Sequence, residues 1–211
     1  MTLHYWNDAT RHLSRQCPTM KKLITRYKGE RLMPRADGFY SLLRAIVGQQ
    51  ISVKAADSVW AKVEKAVKPL TPKKLLATPD EALRACGLSG QKVAYARNIA
   101  EFYKDRKTHA DAWNDHADET IIAELTSIKG IGSWTAEMFL MFHLARPDVL
   151  PLKDLGLLKA INLYYVAEEK LMGKKWLTPK EYEAIAAPWA PYRTVATWYL
   201  WRSLDPVPVA Y

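Results

Sequence analysis

The sequence predicts an all-α fold, and three observations carry that prediction. Apolar residues recur at three- and four-residue spacing over most of the 211 residues, the period of a helix with one buried face. Threonine–proline, serine and aspartate stand where such segments begin, and glycine where several of them end. No segment shows strict apolar–polar alternation between turn residues, the pattern of a half-buried strand.

The elements follow in order. The spacing predicts a helix over 36–47, stopped by Gly48, with Gln49 and Gln50 left at the apex of a tight turn. Ser52 then caps a helix over 53–67. Thr71-Pro72 starts a short helix, and Thr78-Pro79-Asp80-Glu81 reads as a capping box with proline in the first helical position. Gly87 ends that helix, and Ser89 starts another that runs to about Arg106. The polar stretch 107–117 reads as a loop, and 118–125 as a helix. Gly130-Ile131-Gly132 is a hairpin turn with little side chain on it, after which Ser133 is a good N-cap for a helix beginning at Trp134. Asp154 precedes a helix over 155–166, Thr178-Pro179-Lys180-Glu181 repeats the capping box, and 194–204 is the last helix. The tail after Asp205, with two prolines, is not helical.

Composition narrows the partner. The apolar fraction is 49% and the charged fraction 25%, as in globular proteins, but the formal net charge is +9. That excess favours a polyanion, nucleic acid first. The charge is uneven: residues 1–36 hold eight lysines and arginines against Asp8 and Glu30, whereas 111–124 holds only acids. Cys17 and Cys86 are far apart and make neither a metal-ligand spacing nor a disulfide framework, which points to a reducing, cytoplasmic compartment. The first residues show no signal-peptide pattern, and the apolar run 138–145 is too short to span a bilayer, so no membrane association is expected.

Four places can carry chemistry. A glycine-lined turn that opens into a helix presents backbone amides and the positive end of a helix dipole, a combination suited to a phosphate oxygen. Gly130-Ile131-Gly132 has that form, although the same residues also suit an ordinary turn between helices. Gln49 and Gln50 are either solvated or pushed into a duplex to fill a vacated space. Trp134 stands in the first turn after the hairpin, either beside a docked phosphate or in the core, and Trp198 lies on the last helix with Tyr199 and Trp201. Asp154 is a helix N-cap and, should it face a cleft, a catalytic carboxylate. The five histidines form no metal pair, and no phosphate-loop, dinucleotide or nucleophile-elbow motif occurs.

Taken in order, Ile-Val-Gly-Gln-Gln-Ile-Ser (46–52), Cys-Gly-Leu-Ser-Gly-Gln-Lys (86–92), Ile-Lys-Gly-Ile-Gly-Ser-Trp-Thr-Ala (128–136), Leu-Pro-Leu-Lys-Asp-Leu-Gly (150–156) and Pro-Tyr-Arg-Thr (191–194) resemble the helix-hairpin-helix base-excision DNA glycosylases, and within them the alkylpurine branch, the DNA-3-methyladenine glycosylase II type. The resemblance implies two helical lobes flanking a DNA-binding cleft: one of about 1–35 plus 146–211, the other of about 36–145, with the helix-hairpin-helix at about 118–144 and no N-terminal β domain. It implies that Asp154 is the catalytic aspartate, that Gln50 is the wedge that replaces a flipped nucleotide, and that Trp134, Met138 and Trp198 line the base pocket. It assigns Gly130, Gly132, Lys92 and Arg193 to the DNA backbone. It places a structural sodium or potassium ion on the backbone carbonyls of Thr126, Ile128 and Ile131, with no cofactor required.

Bifunctional members of that family carry a lysine nucleophile two residues after the second hairpin glycine. Here that residue is Trp134, so the resemblance implies a monofunctional enzyme that hydrolyses the N-glycosidic bond of 3-methyladenine- or 7-methylguanine-type lesions in double-stranded DNA, leaves an abasic site and has no lyase step. It further implies a monomer acting in base excision repair, on the nucleoid of a bacterium or in the nucleus of a eukaryote. Two other readings stay open: a glycosylase for another base lesion, and a non-catalytic helix-hairpin-helix DNA-binding protein.

Overall fold

The computed structural model describes residues 3–35, 37–51, 53–106, 110–166 and 176–205, and among them every regular element is helical. The Ser52 cap and the tail after Asp205 lie outside the described residues. The chain divides into two compact units, one of Met1–Pro34 with Ala145–Ala210 and one of Arg35–Leu144.

The second unit holds α3 (Gly38–Gly48), α4 (Val53–Ala66), α5 (Pro72–Ala77), α6 (Asp80–Ala85), α7 (Gly90–Tyr103), a 3-10 turn (Ala110–Trp113), α8 (Asp118–Thr126) and α9 (Ser133–Phe142). In its core α7 packs against α3, with Val93, Ala96, Ile99 and Tyr103 of the one and Phe39, Leu42, Leu43 and Ile46 of the other all buried, and the Phe39 and Tyr103 rings meeting edge-on. Each such fully buried side chain contributes roughly 1.5–3 kcal/mol of transfer free energy. Asp37 caps α3 through the Tyr40 amide, Thr71 caps α5 through that of Lys74, and Ser89 caps α7 through that of Lys92. The 3-10 turn falls inside the stretch expected to be loop.

Two caps differ from expectation. Thr78 makes no capping box: it closes the end of α5, and its hydroxyl donates back to the Lys74 carbonyl at 2.8 Å, so α6 begins after Pro79 without a side-chain cap. The helix after the hairpin starts one residue early, with Ser133 already inside it and Gly132 as N-cap.

The first unit holds α1 (Trp6–Gln16), α2 (Pro18–Arg26), α10 (Leu155–Tyr165), α11 (Pro179–Ala186), a 3-10 turn (Ala187–Trp189) and α12 (Arg193–Leu204). Neither α1 nor α2 was expected from the sequence, because their many polar and charged residues leave only a narrow apolar face. Trp6, Ala9 and Leu13 nevertheless stand one turn apart and are buried, and the Cys17 thiol with Pro18 starts α2. Thr178 and Glu181 form the expected capping box, with both hydrogen bonds present. Helix α12 is the centre of this unit, with every residue from Thr194 to Trp201 buried.

Candidate functional site

Helix α7 organises the second unit's candidate site. Lys92, Tyr95 and Asn98 stand at three-residue spacing, hence on one side, and contact the turn after α3 and the hairpin at 130–132. The Lys92 ammonium donates to the carbonyls of Val47 and Gln49, at 2.8 Å each. Those carbonyls close the C-terminus of α3, where a cation is favoured by the helix dipole. The next residue, Gln50, is exposed and has a φ of +59°, a left-handed conformation that costs a residue with a Cβ about 1–2 kcal/mol. Ile51 beside it is 40% exposed. Burial lowers the Lys92 pKa from its ordinary value.

Farther along the same face, Asn98 Nδ2 donates to the Lys129 carbonyl at 3.0 Å, and the Tyr95 ring lies over Gly130. Gly130 has a φ of +109°, and a Cβ there would stand 2.3 Å from Tyr95 Cγ, so neither the backbone nor the space admits another residue. Gly132 is different: a Cβ on it would meet nothing within 4 Å. The hairpin therefore packs on α7 through Gly130 and is open at Gly132, where α9 begins without a side-chain cap. Trp134 is half-buried in the first turn of α9. Met138, one turn later, is buried in this unit and borders a small cavity with Ser41, Leu42, Thr135 and Phe142. Of the three carbonyls expected to hold a cation, that of Ile128 accepts the Ile131 amide at 2.9 Å, which closes the turn and leaves the oxygen its second lone pair. Carbonyl oxygens are hard donors of the kind that suit an alkali cation.

In the first unit, Asp154 is buried at 6% exposure and is the N-cap of α10. Its Oδ1 accepts from the Leu157 amide at 2.6 Å and from the Trp201 indole Nε1 at 2.7 Å. The two donors converge on one oxygen and fix the orientation of the side chain. Gly156 is packed against the same group: a Cβ on it would stand 3.0 Å from Asp154 Oδ1 and 3.3 Å from Trp201 Cδ1.

Three expected site residues are engaged inside the protein. Trp198, expected to line the base pocket, is 1% exposed and packs edge-on against Trp6 and Tyr199 in the unit's core. The indole partner of the Asp154 carboxylate is Trp201, one turn later. Arg193 is engaged within the protein, its guanidinium forked onto Asp148 with Nε–Oδ1 and Nη2–Oδ2 both at 2.7 Å. Although burial opposes it, this pairing lowers the Asp148 pKa below its ordinary value. Lys92 is likewise engaged, on α3 carbonyls. Sequence reasoning missed Tyr95, Asn98, Trp201 and Gly156. Only Gly156, a glycine in the first turn of a helix two residues after an aspartate, left a sequence signal. The exposed Lys129, at the hairpin tip, is a further cation next to the expected phosphate position.

Comparisons with known proteins bear on the family and the fold. A family model described as HhH-GPD superfamily base excision DNA repair protein matches residues 43–191. A DNA-3-methyladenine glycosylase 1 of Schizosaccharomyces pombe is 33% identical over 189 residues, which cover 86% of this chain and 79% of that protein. Among solved structures, the 3-methyladenine DNA glycosylase of the same yeast in complex with abasic DNA superposes with a TM-score of 0.77 at 30% identity, covering 97% of this chain and all of that one. A DNA-3-methyladenine glycosidase of Bacillus halodurans gives a TM-score of 0.71 at 34% identity, with 90% of each chain covered.

Proposed function

The chain belongs to the HhH-GPD superfamily of base excision DNA repair proteins, and we propose that within it this protein is a monofunctional glycosylase that excises alkylated purines from duplex DNA. The observation that carries this reading is Asp154, a buried carboxylate pinned by a backbone amide and an indole N–H. A simple N-cap has no use for burial and a second donor, whereas a carboxylate that must face developing positive charge does.

Methylation at N3 or N7 makes a purine cationic and weakens its glycosidic bond, so the base leaves without a strong general acid. As the bond breaks, positive charge develops on the sugar; Asp154 stabilises it and orients or deprotonates the incoming water. The base departs with the bonding electron pair and water supplies the hydroxyl, leaving an abasic sugar. The Trp134 face favours a cationic base by roughly 0.5–2 kcal/mol. With tryptophan rather than lysine at 134, no Schiff base forms there and the strand stays intact. Gln50 fills the gap left by the extruded nucleotide, offsetting an unstacking cost of a few kcal/mol. The hairpin at Gly130–Gly132 holds a phosphate, and Thr126, Ile128 and Ile131 would hold a sodium or potassium ion through their carbonyls, stiffening that turn. The net charge of +9 supports a duplex partner. Among the described residues, no helix is long and apolar enough to cross a membrane.

Incubated with methylated duplex DNA, the protein is expected to release 3-methyladenine or 7-methylguanine, read by chromatography, with strand breaks only after alkali. Breaks without alkali would overturn the monofunctional assignment. No base release with binding intact would favour the non-catalytic module. Affinity for undamaged duplex is expected to fall steeply with salt as counterions are released.

Gly156→Ala is a sharper probe of the carboxylate. Alanine in a helix is worth about 1 kcal/mol over glycine, so Tm should hold or rise. The added methyl pushes the Asp154–Trp201 pair by a few tenths of an ångström, and single-turnover excision is expected to slow by roughly ten-fold, since small misplacements of a catalytic group are costly. Unchanged excision would mean that the placement of Asp154 does not limit the rate.

A further inference from the structure

We propose that Lys92 is a positioning residue for Gln50: its ammonium ties two of the last three carbonyls before Gln50, those of Val47 and Gln49, to α7 and so holds Gln50 out in its left-handed conformation. The proposal rests on the wedge reading of Gln50 given above. It differs from a phosphate-contact role, which would have the ammonium spend its hydrogen bonds on DNA.

The geometry points to the turn and not to the duplex. Two of the three N–H bonds of the ammonium run to Val47 O and Gln49 O, at 2.8 Å each, 45 and 43 residues away in sequence. Lys92 is itself held from below: its backbone amide donates to the Ser89 cap at 3.3 Å, so the side chain leaves from the first, rigid turn of α7. The Gln49 carbonyl belongs to the peptide that leads into Gln50, so fixing it fixes the direction in which Gln50 departs. A left-handed residue with a Cβ at an exposed tip persists only where its neighbours over-determine it. The same helix face holds the hairpin through Tyr95 and Asn98. The wedge turn and the phosphate-binding turn are thereby referred to one helix, which keeps their separation constant when a base is extruded.

The test is a double-mutant cycle on single-turnover excision of 7-methylguanine from duplex DNA, with affinity for undamaged duplex measured across a salt series. Lys92→Met is expected to slow excision by roughly ten-fold, the effect of losing a charge-assisted contact that holds a functional group. Gln50→Ala should slow it comparably, and the double variant should be no slower than Gln50→Ala within about two-fold, because a misplaced wedge and an absent one are equivalent. Lys92→Arg, which keeps the charge and two donors, should restore most of the rate. Undamaged-duplex affinity and its salt slope should not change.

Multiplicative losses in the double variant, full activity of Lys92→Met, or a salt slope smaller by about one would each overturn the proposal, the last by making Lys92 a phosphate contact. Should Lys92→Met fail to fold, Lys92→Gln, which loses the charge and the reach but stays polar, carries the same cycle. Gln50→Ala without effect would remove the wedge reading itself, a result distinct from the failure of Lys92 alone.

Discussion

Asp154→Asn is expected to lower single-turnover excision by on the order of 1,000-fold while leaving the fold and DNA binding in place. Asparagine has the same shape, and its side-chain oxygen can still accept from the Leu157 amide and the Trp201 indole. What disappears is the negative charge proposed to face the sugar as the bond breaks. Removing a charge buried at 6% exposure does not destabilise the native state when its hydrogen bonds survive, so Tm should stay level or rise slightly.

Asp154→Ala is the contrasting variant. It loses the cap, at about 1 kcal/mol, and leaves a buried indole N–H without its acceptor, at roughly 1–3 kcal/mol more. The pair separates chemistry from structure: both should be inactive, and only alanine should melt early. An Asp154→Asn protein that retained its rate within a few-fold would reduce Asp154 to a helix cap.

Gly130→Ala is expected to lower duplex affinity by at least ten-fold and to destabilise the second unit. Two costs add. The backbone is held at a φ of +109°, where a residue with a Cβ is strained by roughly 1–3 kcal/mol. The new methyl would also stand 2.3 Å from the Tyr95 ring, and overpacking of that kind costs roughly 1–3 kcal/mol more, or drives the hairpin off α7.

Gly132→Ala provides the control. Its φ of −94° suits alanine and open space surrounds the position, so Tm should fall by no more than the roughly 1 kcal/mol that separates alanine from glycine at an N-cap. That open side is where a phosphate would approach the first amides of α9, and the methyl should weaken duplex binding by several-fold through exclusion alone, on the order of 1 kcal/mol. Unchanged duplex affinity for Gly132→Ala, measured by fluorescence anisotropy, would remove the phosphate-docking account. Unchanged melting of Gly130→Ala would remove the packing account.

Most of the secondary structure was legible because its signals are local. Ser89, Thr71 and Thr178 cap the helices they precede, each through an amide three residues on, and Asp154 does the same for α10. The failures were local signals with two uses. Thr78 stands where it can cap the following helix or close the preceding one, and its hydroxyl turned back to Lys74. Ser133 could cap a helix or enter it, and the chain used Gly132 instead. The first two helices were missed because their charged residues dilute an apolar face that Trp6, Ala9 and Leu13 still define.

The candidate site divides in the same way. The sequence by itself determined the helical class, the glycine turn at 130–132, the exposed glutamine at 50 and the aspartate at the head of α10, because each depends on a few consecutive residues and on backbone rules that act within one turn. Only the tertiary structure decided which tryptophan serves Asp154 and where the Lys92 ammonium goes. Helical periodicity can pick out a face only when one face is buried. Every residue from Thr194 to Trp201 is buried, so the pattern cannot distinguish Trp198 from Trp201, and the choice rests on a contact across 47 residues. Lys92 looks in sequence like any basic residue awaiting a phosphate. Its carbonyl partners lie more than 40 residues upstream, and only the packing of α7 on α3 brings them within hydrogen-bond reach.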